Sequence, residues 1–170
     1  MRLIVVRHAK AKERDAERFP DDALRPLSAA GRREFTRFAR RMPRWLPPPA
    51  RVLASRWTRA WDTARLLESR AGWPAALACA ALETEGGFAA VEALLQAIRA
   101  HRAAESVALV GHQPALGELV ARLLGAGERS IDFDKGAVAV LEIADGEPMR
   151  GSLRLLVAPE VAAKRLKRRV

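Results

Sequence analysis

Residues 2–9 read RLIVVRHA, and the step from Val6 to Arg7-His8 decides how the chain folds. Leu3-Ile4-Val5-Val6 is short, continuous and β-branched, the texture of a strand buried on both faces. A cation and an imidazole do not belong in that core, so at Arg7-His8 the chain leaves it for a surface that can use them. The event recurs twice. Val52-Leu53-Ala54 runs into Ser55-Arg56-Trp57-Thr58-Arg59, and Val107-Ala108-Leu109-Val110 runs into Gly111-His112. In open parallel α/β sheets, ligands bind beyond the carboxyl ends of the strands. Three strands therefore bring two histidines and two or three arginines to one sheet edge.

Helical patterns lie between these strands. Ala9 to Leu27 is polar, with Pro20 and Pro26, and predicts a loop. Ser28 suits an N-cap, and Phe35, Phe38, Ala39 and Met42 follow at helical spacing, predicting a helix from about Ser28 to Met42. Pro47-Pro48-Pro49 is a stiff connector. A second helix carries Ala60, Ala64 and Leu67 on one face and ends near Gly72 and Pro74. Ala76 to Leu82 predicts a weak third strand. Phe88, Val91, Leu94, Leu95 and Ile98 mark another amphipathic helix. Pro114 suits the first position of a helix that turns Leu116, Leu119, Val120, Leu123 and Leu124 inward. Ala137–Ile143 and Leu153–Val157 predict two strands joined by a turn at Asp145-Gly146. The alternation predicts an α/β three-layer sandwich: a mostly parallel central sheet, helices on both faces and an antiparallel C-terminal hairpin. One domain is expected over 1–159, followed by a basic tail over 160–170.

The 170 residues suffice for a full core, and 49% hydrophobic with 29% charged residues is the balance of a soluble globular protein. The single cysteine, Cys79, excludes an internal disulfide and suits a reducing compartment. No apolar run approaches the roughly 20 residues of a membrane span, and the N-terminal run is too short for a signal-peptide core. These features predict a cytoplasmic protein with no membrane partner. The net charge of +10 favours an anionic partner. Lys164, Arg165, Lys167, Arg168 and Arg169 in the tail carry half of it, and Arg32, Arg33, Arg37, Arg40 and Arg41 form a basic helix face. Such faces and tails are most often simply solvated. The four tryptophans read as packing residues, and His101 as an exposed helix residue. The three histidines lack ligand spacing, so no metal or other cofactor is expected.

Arginines converging with two histidines repel one another unless a polyanion sits among them. Guanidinium groups pair with phosphate oxygens in bidentate fashion, and free N–H groups at the start of the helix near Pro114 also favour an anion. A phosphoryl group is the expected ligand. A neutral imidazole beside it can attack phosphorus, giving a phosphohistidine that water then cleaves. The arginines and the second histidine would stabilise the equatorial oxygens.

Arg7-His8-Ala9 resembles the RHG signature of the histidine phosphatase superfamily, the phosphoglycerate-mutase-like group. Ser55-x-x-x-Arg59-Ala60-x-x-Thr63-Ala64 resembles its second motif and Val110-Gly111-His112 its third. Arg25-Pro26-Leu27-Ser28-x-x-Gly31 and Gly111-His112-Gln113-Pro114 resemble stretches of its SixA-type phosphohistidine phosphatases. The resemblance spans nearly the whole chain, with all motifs in order. It implies that His8 is the phosphorylated nucleophile, that Arg7, Arg59 and His112 hold the phosphoryl group, and that Arg25 lines the pocket. Ala9 stands where the family has glycine, and its methyl group is expected to narrow the pocket. Glu83, in Leu82-Glu83-Thr84-Glu85, aligns best with the leaving-group acid of larger members, and reads equally well as a solvated loop carboxylate.

The resemblance implies a metal-independent phosphatase acting on phosphohistidine in a phosphotransfer domain or a phosphocarrier protein. A P–N bond is labile and needs a strong acid less than an alkyl phosphate does. No long insertion is present to build a lid, which favours a shallow pocket open to a protein side chain. The alternatives are a small-molecule phosphomonoesterase on the same fold, and a non-catalytic phosphate- or nucleic-acid-binding module that uses the tail. Nucleic acid is the less expected partner, and the oligomeric state is left open.

Overall fold

The computed structural model describes residues 1–126 and 131–160. The predicted basic run of the tail, in 161–170, lies outside the described residues. Within them, six strands form one sheet: β1 (Arg2–Arg7), β2 (Arg51–Ala54), β3 (Leu77–Ala78), β4 (Ser106–Gly111), β5 (Val138–Ile143) and β6 (Gly151–Val157). Their spatial order is β3-β2-β4-β1-β5-β6. The first four strands in that order run parallel, and β5 is antiparallel to both β1 and β6. The mostly parallel α/β sheet with an antiparallel C-terminal pair is therefore present.

The central strands are buried because both faces are covered. Helices α1 (Ala29–Ala39) and α2 (Thr58–Ala71) lie on one side, α3 (Phe88–Ala100) and α4 (Ala115–Leu123) on the other. In β1, Ile4 and Val6 pack with Phe35, Phe38 and Leu67, while Leu3 and Val5 pack with Leu94, Ile98 and Leu116. All four strand residues are fully buried, each contributing about 1.5–3 kcal/mol of transfer free energy. That two-sided burial is why the sequence shows a continuous apolar run rather than alternation.

The register fixes where the strands end. Arg7 pairs with Gly111 across β1 and β4, and Ala54 pairs with Val110 across β2 and β4. Three carboxyl ends are thus level, and His8, Ser55 and His112 follow them at one edge. The His8 N–H donates to the Gly111 carbonyl at 3.0 Å and the Ser55 N–H to that of Val110 at 3.0 Å, so the sheet's bonding extends into the site.

The loop after His8 is also held. Ala11 bridges Leu27, the Lys12 N–H donates to Pro26 O at 3.0 Å, and the Ser28 N–H to Lys10 O at 3.0 Å. Ser28 caps α1 as expected, its hydroxyl accepting from the Gly31 N–H at 3.0 Å. Gly31 is required by proximity: a Cβ there would stand 2.0 Å from the Lys10 carbonyl oxygen. Helix α1 is thereby pressed onto the backbone two residues past His8.

Several expectations change in detail. Helix α1 stops at Ala39, and a separate 3-10 turn covers Met42–Arg44, because Pro43 has no N–H to continue the helix. The third strand shrinks to exposed Leu77–Ala78, since its alanine-rich sequence has little to bury, and a 3-10 turn at Ala80–Leu82 follows. Phe88 opens α3 and is 72% exposed rather than part of its inner face. Pro114 stands one residue before α4. The link from β5 to β6 spans residues 144–150, tied to α3 by Arg99–Glu147 at 2.9 Å and to the turn after it by Arg102–Asp145 at 3.3 Å.

Candidate active site

A cleft of about 520 Å3 opens at the level strand ends. Arg7, His8, Arg25, Arg59 and His112 all line it. Of these, His8, Arg25, Arg59 and His112 are each less than a tenth exposed. Five of the six residues singled out in the sequence therefore meet. Glu83 does not line the cleft: its carboxylate accepts the Arg56 backbone N–H at 3.0 Å. Arg56 itself is exposed and outside the lining.

The His8 ring has a defined tautomer. Its Nδ1 lies 2.7 Å from the Ala9 carbonyl oxygen. A carbonyl only accepts, so Nδ1 carries the proton and Nε2 keeps its lone pair. Burial is the main reason the His8 pKa falls to about 3; Arg59, Arg7 and Arg25 add to the fall, and the Ala9 bond opposes it. The imidazole is therefore neutral at ordinary pH, as a nucleophile must be. Ala9 is nearly fully buried on the α1/α2 side, donates its N–H to Thr63 Oγ1 at 3.0 Å, and is absent from the cleft lining. Its methyl group thus leaves the pocket unchanged, against expectation.

His112 has the opposite arrangement. Its Nε2 lies 3.0 Å from Ser55 Oγ, which accepts the Trp57 N–H at 3.1 Å. Among the described residues the hydroxyl proton has one recorded acceptor, His112 Nε2, which leaves the ring proton on Nδ1. Burial first, then His8 and Arg59, lower this pKa to about 2. The two rings stand 5.1 Å apart between centroids. One neutral histidine thus offers a lone pair and the other a donor.

The arginines are held in place by oxygen acceptors. Asp22 joins two of them: Arg25 Nε donates to Oδ1 at 2.7 Å, and Arg59 Nη2 lies 3.1 Å from Oδ2. Arg59 Nη1 also donates to the Asp22 carbonyl at 2.7 Å, and Arg25 Nη1 to that of Lys12 at 2.6 Å. Arg7 donates to the Phe133 carbonyl and pairs with Asp132 at 3.3 Å. Asp22 and Asp132 therefore relieve part of the repulsion that the sequence reading left to a bound anion. Among the described residues four side-chain nitrogens are buried without a protein partner: Arg7 Nε, Arg59 Nε, His112 Nδ1 and, in the core on the α1/α2 side, Trp73 Nε1. The first three belong to residues that line the cleft, at the end of β1, in the first turn of α2 and directly after β4, and guanidinium groups there suit a tetrahedral oxyanion.

Sequence reasoning missed four contributors. Asp22 sat in a loop read only as polar; its signal was the i,i+3 spacing to Arg25. Ser55 and Thr63 were motif letters without roles: Ser55 fixes the His112 tautomer, and Thr63 Oγ1 donates to Arg59 O at 2.7 Å while accepting from Ala9 N. Trp57, read as packing, lines the cleft with its ring 4.6 Å from that of His112 and 4.8 Å from Arg59 Cζ. The outer wall is Glu13, Arg14, Thr84, Glu85, Gln113, Pro114 and Lys135. Among the described residues no cluster of three or more His, Cys, Asp or Glu could hold a metal ion, and no helix is long and apolar enough to cross a membrane.

A neutral imidazole with a free Nε2, set among guanidinium donors at parallel strand ends, is a centre suited to phosphoryl chemistry. The chain belongs to the histidine phosphatase superfamily (branch 1), whose sequence profile matches residues 3–89. Solved structures share most of its length. The protein histidine phosphatase SixA, complexed with tungstate, is 27% identical with a TM-score of 0.79, covering 95% of this chain and 99% of that one. A protein of Agrobacterium tumefaciens assigned as phosphohistidine phosphatase SixA is 25% identical with a TM-score of 0.70, covering 93% and 98%. A mycobacterial glucosyl-3-phosphoglycerate phosphatase complexed with VO3 shares the fold at 16% identity and a TM-score of 0.68, covering 91% and 97%. No curated protein matches the chain by sequence. The family and the two SixA neighbours support phosphatase activity.

Proposed function

We propose that the chain is a metal-independent phosphatase that works through a phosphorylated His8 and acts on phosphohistidine of a signalling or phosphocarrier protein. The observation that carries this reading is the His8 ring, buried and neutral, with Nδ1–H held by Ala9 O and Nε2 free among Arg7, Arg59 and His112. Nε2 attacks phosphorus as the bond to the leaving group breaks. Water then attacks the phosphoenzyme, the P–Nε2 bond breaks, and inorganic phosphate leaves with Nε2 restored. Arg7, Arg59 and His112 donate to the equatorial oxygens, where charge is greatest. Arg25 extends this positive wall, and its clamp on Asp22 steadies Arg59.

Two features support a protein-borne phosphohistidine. The rim residues Glu13, Arg14, Glu85 and Lys135 are all exposed, so the mouth is open enough for a side chain on another protein's surface. Glu83 is engaged by a backbone N–H, and a P–N leaving group needs no strong acid because the imidazole can depart protonated. The solved structure 27% identical to this chain is a protein histidine phosphatase. The second reading is a small-molecule phosphomonoesterase, favoured by the carboxyls of Glu13 and Glu85 in the cleft wall, which could protonate an alkoxide.

Parallel assays on histidine-phosphorylated carrier proteins and on phosphorylated metabolites decide between them. Faster turnover of the proteins, unaffected by Glu13→Gln and Glu85→Gln, supports the first reading. Preference for a metabolite with loss of activity in either variant supports the second. Binding without hydrolysis of anything in both panels would leave only a non-catalytic phosphate-binding module.

A further inference from the structure

Helix α1 and the turn after it carry Arg33, Arg37, Arg40 and Arg44, spaced four, three and four residues apart. Arg33, Arg37 and the C-cap Arg40 fall in one stripe, with neighbours about one helical turn, or about 5.4 Å, apart, and Arg44 follows on the separate 3-10 turn. All four are exposed, and none has a side-chain hydrogen bond or ion pair among the described residues. The nearby acids are already engaged: Glu34 by Lys10 at 3.2 Å, and Asp62 by Arg32. The opposite face of α1, with Phe35, Phe38 and Ala39, is buried, so the stripe is the outward surface of a rigid element. Its N-terminal end is tied to the segment that follows the nucleophile: the Ser28 N–H donates to Lys10 O at 3.0 Å, two residues past His8.

We propose that this stripe docks an acidic α-helix of the phosphorylated protein whose phosphohistidine enters the cleft; the proposal rests on the phosphohistidine reading above. A helix with carboxylates at i, i+4 and i+7 repeats at the same pitch as Arg33, Arg37 and Arg40, so three charge pairs can form along two adjacent helices. Guanidinium groups meet carboxylates in bidentate geometry, and here they carry no competing partner to displace. A nucleic-acid strand is the less suitable occupant, because no aromatic side chain alternates with the arginines to stack a base. The adjacent Trp45 ring instead packs against Phe38 at 5.8 Å.

The test uses three synthetic probes: a short phosphohistidine peptide, the same peptide linked to a helix bearing glutamates at that spacing, and the acidic helix alone with a fluorophore. The expected result is a KM at least about 10-fold lower for the linked peptide at low salt, with the advantage shrinking as salt rises. The triple variant Arg33→Glu/Arg37→Glu/Arg40→Glu should lose that advantage while hydrolysing the short peptide and an aryl phosphate at the wild-type rate. The milder Arg→Gln triple variant should lose most of it and guards against misfolding of the reversed one. Equal KM values for the two peptides in the wild type, or an advantage surviving both variants, overturns the proposal. So does tighter binding of a labelled single-stranded oligonucleotide than of the acidic helix, lost in the same variants. Fluorescence anisotropy of the acidic helix on the His8→Ala protein tests the surface without catalysis. Binding there with no peptide hydrolysis by the wild type would condemn the functional reading and leave the docking surface standing.

Discussion

Replacing Asp22 with asparagine separates positioning from chemistry in this site. Asp22 does not line the cleft, yet its carboxylate holds Arg25 at 2.7 Å and Arg59 at 3.1 Å. Arg59 is 3% exposed, so losing the carboxylate leaves a desolvated guanidinium with one fewer counter-charge, while the bond from Nη1 to the Asp22 backbone carbonyl survives. Removing one partner of a fully buried pair costs about 3–5 kcal/mol, and of an exposed pair about 1 kcal/mol or less. The Asp22 side chain is 36% exposed, which puts the cost between these limits, at about 1–2 kcal/mol. For a domain of this size that lowers Tm by about 2–8 °C. Displacement of Arg59 from the phosphoryl group should cost about 10- to 100-fold in kcat/KM. The assay is steady-state hydrolysis of an aryl phosphate, paired with inhibition by inorganic phosphate, which should weaken in parallel. The Asp22 carboxyl is held below its ordinary value, chiefly by the Arg25 hydrogen bond. Its contribution to stability is therefore present above about pH 4 and is lost as pH falls through the lowered value, so the melting difference from Asp22→Asn should narrow in strong acid. Wild-type kcat/KM and phosphate inhibition in a folded Asp22→Asn protein would refute the clamp.

Ser55→Ala leaves His112 Nε2 and the Trp57 N–H without their shared partner; about 1–3 kcal/mol of stability and roughly 10-fold in kcat are expected to go, by thermal melting and turnover. A serine-like kcat would show that the His112 tautomer is set elsewhere. Gly31→Ala brings a methyl group to 2.0 Å from the Lys10 carbonyl, a backbone clash that should cost about 1–3 kcal/mol and reduce activity through the displaced His8 segment; an unchanged Tm would contradict the close approach. His8 and His112 stay neutral in the fold down to about pH 3 and about pH 2, whereas in the unfolded chain they take protons near pH 6.5. The unfolded state then binds more protons, so stability should fall as pH drops below about 6.5, and less steeply in His8→Ala/His112→Ala; equal slopes would contradict the lowered values.

Much of the site was legible because three of its motifs sit directly after an apolar strand. The runs 3–6, 52–54 and 107–110 are buried on two sides, and such runs mark parallel strands whose ends must share an edge. Residues that act by local contact with a neighbour far along the chain were not legible. Asp22 reaches Arg59 only because the loop 9–28 folds back through the Ala11–Leu27 bridge. Trp57 became a wall of the cleft through the turn that starts α2, which no periodicity announces. Glu83 and Glu85 differ by two residues, and only the 3-10 turn at Ala80–Leu82 decides that Glu85 faces the cleft while Glu83 binds the Arg56 N–H. Ala9 illustrates the same limit in reverse: its side chain turns to the core, a direction set by the bond from its N–H to Thr63.

Rapid-quench labelling probes the nucleophile itself. Mixing the enzyme with a 32P-labelled phosphohistidine peptide or aryl phosphate and quenching in base within milliseconds should trap one label per chain, stable to alkali, lost in acid, and located on His8 by peptide mapping. Label on any other residue, or full turnover by His8→Ala with no trapped phosphoenzyme, would contradict a covalent intermediate at His8.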